Sequence, residues 1–521
     1  MTSPGQNPTG QDPAVSIWRE VELGFEADVD LARPYLDVDL WADFTHAGGT
    51  RIRRPAFWSG GRTWRIRFAP TLAGVWSWET GASTAVPGLT GQQGRLTGLN
   101  ADPQETNRFY RNGFWRMSPG GHSLVHADGS PAILVADTAW GLPWRATVAD
   151  AETYARDRAA KGFNAVLLMT VQPDMRAVGP RDRTLDEGFG VGFEDLPAGH
   201  LNELDPDYFA YLDQLLAVLV EHGLVPVLQP VFQGFGWKGL GVAGTAVPAG
   251  EYARYCRYLV ARYGGRPAIY LVGADGTGAA PQVEAGGREV QAWDGYGQPT
   301  GLHYQPHATN RAYQDAEWLD FQWCQTGHGG EHVPERVADM VRNLPVRAVA
   351  NGEPSYENTG RRGNAAGWWQ GYEAWSNLFA GGTMGVVYGA ASLWQWRLHA
   401  DEPGHEPYFL AEGAGWREAL DFEGSAYVGL VGRILARLPT TDMRPNWTLA
   451  ICPRVLEVPG RLVLAYQEYG GDLQVTDPSV PLPYRVIDPL TGEQVSEGVR
   501  ARATDPVPDP GGSPRLYICQ P

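Results

Sequence analysis

Two acidic residues, Asp275 and Glu353, close apolar runs of the kind that build buried strands: AIYLVGAD (268–275) and VRAVANGE (346–353). Carboxyl groups fixed at strand ends suit glycosidic cleavage, in which one acid protonates the leaving oxygen while a second carboxylate attacks the anomeric carbon or activates water. Glu353 shares the motif NGEPSYE with Glu357, and the two compete for the nucleophile's role. Glu353 is favoured because it ends the strand itself and is held more rigidly. Glu357 then supports it or binds a sugar hydroxyl. Tyr356 or His303 could hydrogen-bond the nucleophile and hold it ionised. For Asp275 the competing reading is a helix N-cap in front of GTGAAP.

Other chemistries fit less well. His303, His307 and His328 are the only clustered histidines near these runs, so a metal centre is not expected. GADGTGAA, after the first of the two runs, lacks the lysine and spacing of a phosphate-binding loop. No cofactor is expected.

The elements that must position these groups follow from the pattern. Apolar runs at 131–137, 164–170, 224–231, 268–275, 299–304, 318–325, 346–353 and 384–389 alternate with helical stretches at 147–161, 206–222, 249–264, 280–292, 332–342, 365–380 and 417–437. Continuous apolar strands separated by helices imply a parallel sheet covered on both faces, and eight repeats imply a closed (β/α)8 barrel. A doubly wound open sheet is the alternative. In such a barrel the site lies at the C-terminal strand ends. The polar and aromatic residues there are Asp137, Trp140, Gln172, Gln229, His303, Tyr304, Trp323, Gln325, His328, Tyr356, Glu357, Trp394 and Trp396. Carboxylates, amides, histidines and indoles together form the lining expected for a sugar. Strands four and seven would oppose one another. Roughly 5 to 5.5 Å between carboxyl groups marks a retaining enzyme and about 6.5 to 9.5 Å an inverting one; the shorter distance is expected.

The barrel is flanked by shorter, alternating runs. Residues 1–14 read as a disordered tail, 15–105 as an antiparallel β-sandwich, 106–440 as the barrel and 441–521 as a small C-terminal β-domain, a multidomain α/β plus β organisation. The net charge of −17 argues against a nucleic-acid partner. The opening residues carry no secretory pattern, and no run reaches the length of a membrane span, so a cytoplasmic chain without membrane association is expected. Cys256, Cys324, Cys452 and Cys519 match no zinc spacing and read as reduced thiols. Flanking β-domains leave a homo-oligomer possible.

The motifs ADTAW (136–140), KGFNAV (161–166), YLVGAD (270–275), LDFQWCQTGH (319–328) and NGEPSYE (351–357) resemble the apiosidase-like barrels of glycoside hydrolase family 140 and its relatives. The N-terminal segment is similar to the small domain of unknown function that precedes such barrels, and the C-terminal one to their terminal β-domain. The resemblance implies Asp275 as acid/base, Glu353 as nucleophile, retention of configuration and no cofactor, with Asp137, Gln172, His303 and Gln325 in the pocket. The sequence departs from it after Asp275, where GTGAAPQVEAGG is small and bland. The substrate is therefore left as an apioside, another furanoside such as an arabinofuranoside or galactofuranoside, or a pyranoside in an oligosaccharide. A barrel that binds glycans without cleaving them, or a lyase or isomerase using Arg145, Arg176 or Arg181 on a sugar acid, are the other readings.

Overall fold

A computed structural model describes residues 12–171, 191–233, 243–305, 311–327, 333–359, 366–401, 413–451, 453–476 and 479–520. Most of the tail expected at 1–14, together with Gln172, Arg176, Arg181, His307, His328 and Cys452, lies outside them.

The eight expected strands are present and form a closed barrel in sequence order. They are β1 (Leu134–Thr138), β2 (Ala165–Met169), β3 (Val225–Gln229), β4 (Ile269–Gly276), β5 (Thr300–Tyr304), β6 (Phe321–Gln325), β7 (Ala348–Glu353) and β8 (Gly385–Gly389). Closure comes from β8 pairing in parallel with β1 over Leu134↔Gly385 to Thr138↔Gly389. The doubly wound alternative is thereby excluded. Every residue of these strands is buried, which is why their sequences run apolar without alternating.

The helices are α1 (Val148–Lys161), α2 (Pro206–Glu221), α3 (Ala249–Tyr263), α4 (Pro281–Trp293), α5 (Glu335–Val341), α6 (Trp368–Phe379) and α7 (Glu423–Leu435). Helix α2 starts where Asp205 caps the Asp207 amide and Pro206 fits the first turn.

By compactness the chain divides into two units. One comprises Met1–Arg116, Gly141–Glu152 and Leu168–Gly301. It holds the N-terminal β-sandwich, a five-stranded sheet facing a three-stranded one. Leu40, Ala42 and Phe44 alternate inward along one strand, and Phe44 stacks on Phe68 of the other sheet at 3.9 Å. Within this unit Arg67 reaches out of the sandwich to Asp213 of α2, with Nη2 2.6 Å from Oδ2, and Arg262 of α3 binds the same carboxylate at 2.9 and 2.8 Å. Burial alone would raise the Asp213 carboxyl, yet the two guanidinium groups hold it well below the usual range.

The other unit comprises Met117–Trp140, Thr153–Leu167 and Leu302–Pro521. Its C-terminal part is a six-stranded sheet with strands in the order 444–445, 455–458, 462–467, 515–519, 482–487, 494–500. Val455, Val463, Leu482, Val486 and Tyr517 fill its core. Tyr466 of this sheet stacks at 6.2 Å on Trp375 of α6. Among the described residues Cys256, Cys324 and Cys519 are buried, and no helix is long and apolar enough to cross a membrane.

Candidate active site

The polar groups at the strand ends fall into three kinds: those tied into the fold, those packed away, and those gathered round Glu353. Asp137 belongs to the first. Its Oδ2 accepts from Arg158 Nε at 2.6 Å and Tyr154 Oη at 2.9 Å, both on α1, and its Oδ1 accepts from the Thr138 amide. All three side chains are fully buried. Its lone pairs are thereby engaged in an ion pair and hydrogen bonds that join strand to helix.

Glu357 is tied in likewise. Oε1 accepts from the amides of Gly367 and Gly424, at 2.8 and 3.2 Å, and Oε2 from the Tyr388 hydroxyl at 2.7 Å. Burial, the largest influence, raises its carboxyl despite these donors. Tyr356 is fully buried, its ring filling the space beside Gly389 where a Cβ would come within 2.3 Å of it.

Period-two alternation in β5 sends Tyr304 away from the face of its neighbour His303. Gln322 Nε2 donates to the Tyr304 hydroxyl at 3.2 Å and to Gln314 Oε1 at 2.8 Å, so the Tyr304 hydroxyl is engaged within the fold. Trp396 is also no platform: it is fully buried, stacked on Trp416 at 4.6 Å and edge-on to Tyr154. Trp140 and Trp394 contact each other at 5.6 Å beyond β1 and β8. Gln229, ending β3, directs its amide to Met169 Sδ at 3.5 Å.

The third group is centred on Glu353. Its Oε2 lies 3.1 Å from His303 Nε2, and Gln325 Nε2 is 3.3 Å from the same imidazole nitrogen. Trp323 closes the cluster with its ring 6.2 Å from His303. The glycine of NGE is required here: a Cβ at Gly352 would meet the Trp323 ring at 2.4 Å and its Cβ at 2.7 Å.

Beneath Glu353 is a support that sequence reasoning missed. Asn351 lies between Thr326 and the strand: with its amide oxygen accepting from Thr326 Oγ1 (2.8 Å) and Asn377 Nδ2 (3.1 Å), its nitrogen donates to the Glu353 carbonyl at 3.2 Å. Thr326 Oγ1 in turn is 2.9 Å from Glu373 Oε1, and Glu373 also accepts from the Ser355 amide. Burial pushes the Glu373 carboxyl up to about 8. A neutral Glu373 has a hydroxyl to give to Thr326, which frees the threonine proton for Asn351 and aligns the chain in one direction. The signal was available: Glu373 and Asn377 stand four apart among the buried positions of α6, where a charge is out of place.

In the other unit, Asp275 is fully buried near the end of β4 and adopts φ 57°. The left-handed region is sparse for non-glycine residues, though Asp is among those that tolerate it, and such conformations cluster at functional positions. Helix α4 starts five residues later, with Ala280 as its N-cap, so Asp275 does not cap it. The Gln233 amide donates to the Ala274 carbonyl at 2.8 Å, laying the segment after β3 against this strand end.

A closed barrel with its acidic residues at strand ends has the architecture of the (β/α)8 glycoside hydrolases. Two solved structures share the fold: a putative glycoside hydrolase from Bacteroides vulgatus ATCC 8482 (TM-score 0.71, 18% identity, covering 98% of this chain and 100% of that one) and a family 5 glycoside hydrolase from the same organism (0.65, 18%, 78% and 94%). Residues 118–442 match the family described as the apiosidase-like catalytic domain, and the chain belongs to it. It is a glycoside hydrolase. Residues 14–83 match a domain of unknown function, DUF5060. No curated protein matches the sequence.

Proposed function

We propose that the chain is a retaining glycosidase acting on a furanoside such as an apioside or arabinofuranoside within an oligosaccharide, with Glu353 as nucleophile and Asp275 as acid/base. The observation that carries this is the placing of Glu353 at the very end of β7, with its Oε2 3.1 Å from His303 Nε2 of β5, whereas Glu357 lies beyond the strand and is tied to Gly367, Gly424 and Tyr388. A nucleophile must keep an oxygen lone pair available to the anomeric carbon.

In the first displacement Glu353 attacks the anomeric carbon while Asp275 gives its proton to the leaving oxygen, producing a glycosyl ester. Water, deprotonated by Asp275, then cleaves the ester and returns both groups to their starting state. Trp323 offers an apolar face to the ring while Gln325 offers hydrogen bonds to its hydroxyls.

A 2-fluoro furanoside with an activated leaving group should label Glu353, found by peptide mapping, and NMR of the first-formed sugar should show retained configuration. Labelling of Glu357, or inverted product, would refute the assignment. Asp275→Asn should leave kcat/KM on an activated aryl glycoside within about tenfold while kcat falls because the glycosyl ester loses its base, and kcat/KM on an alkyl glycoside whose leaving group needs the proton should drop roughly 10²-fold or more.

A further inference from the structure

The second unit carries an aromatic cleft that the proposed chemistry does not use. It has a volume of about 490 Å³ and lies between α6 and the C-terminal sheet, with Phe379 and Tyr466 among its apolar lining and Arg454, Gln467, Glu468 and Tyr469 among its polar lining. The size is that of a small-ligand site. Two further observations point to an occupant. The Tyr466 hydroxyl has no hydrogen-bond partner, although the residue is only 7% exposed; buried hydroxyls are normally satisfied. Tyr469, by contrast, is 86% exposed and is held at the rim by its contact with Glu468 and by Gly470 and Gly471, whose φ values of 73° and 102° turn the chain back.

Glu468 is itself oriented, accepting from the Tyr372 hydroxyl of α6 at 3.3 Å. Arg454 is braced by Glu335 at 3.1 Å. The cleft therefore combines the exposed ring of Tyr469 with a carboxylate and a guanidinium that are held before anything binds. Sugars ask for this combination: C–H faces that lie on aromatic rings, and a circumference of hydroxyls that pair with charged and amide groups. A proline-rich peptide would use the aromatic rings but leave the carboxylate without a donor beyond its own backbone amides.

We infer that this cleft is a second carbohydrate-binding site, which takes one or two sugar units of the glycan chain and retains the polymer on the protein away from the barrel. The inference rests on the reading of the barrel as a glycosidase only for the identity of that glycan.

Affinity electrophoresis of the full chain through gels holding soluble arabinan, arabinoxylan or pectic galacturonan tests it. At least one polymer should retard the native protein. The Glu468→Gln, Tyr469→Ala double variant should lose that retardation at least fivefold, while kcat/KM on a small aryl glycoside stays within twofold. Tyr466→Phe, which keeps the ring and removes only the hydroxyl, should weaken retardation two- to fivefold with an unchanged melting temperature. Equal retardation of native protein and double variant, no retardation on any polymer, or tight binding of a proline-rich peptide at Tyr469 in place of polysaccharide would overturn the inference. Hydrolysis of no aryl glycoside would count against the barrel reading alone, since retardation is measured independently.

Discussion

The ends of β1 and β7 each carry a buried acidic residue, and the protein treats them oppositely. At β1 the carboxylate of Asp137 is neutralised by Arg158 and saturated by Tyr154 and the Thr138 amide. At β7 Glu353 faces an imidazole and an amide side chain, and its support is applied to the backbone behind it through Asn351. The difference teaches that burial and strand position do not identify a reacting group. What differs is that the Asp137 carboxylate is held by Arg158, Tyr154 and the Thr138 amide, while Glu353 shares its strand end with His303.

Substitutions should separate the two ends. Glu353→Gln should lower kcat by roughly 10³-fold or more while leaving the unfolding midpoint within a degree or two, as expected for a group whose role is made in the transition state. Asp137→Asn should do the reverse, costing about 3 kcal/mol in denaturant unfolding because Arg158 loses its fully buried countercharge and keeps only the partly exposed Asp157, with turnover per folded molecule preserved. Abolished turnover in a fully folded Asp137→Asn protein would erase the distinction.

Gly352→Ala probes the backbone behind the nucleophile. The added methyl cannot coexist with the root of the Trp323 side chain, so β7 must shift, and a displacement on the order of 1 Å should cost about 10²-fold in kcat. An unaltered kcat would mean that Trp323 yields instead.

The smallest effect concerns Glu373. Its carboxyl is raised in the folded protein to about 8 from an ordinary 4.5, so the folded state binds the proton more tightly. Stability from this source is complete below about pH 4.5 and is lost as pH rises through about 8. Glu373→Gln, a neutral isostere, should therefore flatten the fall in melting temperature between pH 5 and 9, read by calorimetry. Parallel curves for the two proteins would show that Glu373 is ionised throughout.

Much of this architecture is legible in the sequence. Eight apolar runs mapped onto eight strands because parallel strands covered on both faces leave no polar positions to interrupt the signal. Boundaries were less so. The run at 131–137 merged two elements, since Pro131–Ala132 pairs antiparallel with Leu124–Val125 before β1 starts at Leu134. The helix read at 417–437 is a short turn at Trp416–Ala419 followed by α7 from Glu423. At the strand ends, position brought Asp137, Asp275, Glu353 and His303 forward alike, and it could not show that Asp137 is paired with Arg158. That partner is 21 residues away and becomes a neighbour only through the fold.

The grip of Arg67 on Asp213 and Arg262 bears on how such enzymes can be recombined. The leading β-domain and the helices at 206–221 and 249–263 grip one buried carboxylate, Asp213, from both sides, through Arg67 and Arg262. A chimera that exchanges only residues 15–105 would remove one of the two guanidinium groups from a surface meant to be dry. The exchangeable piece is the domain together with the helix faces it holds, a module whose border runs through space and is invisible as any single point along the chain.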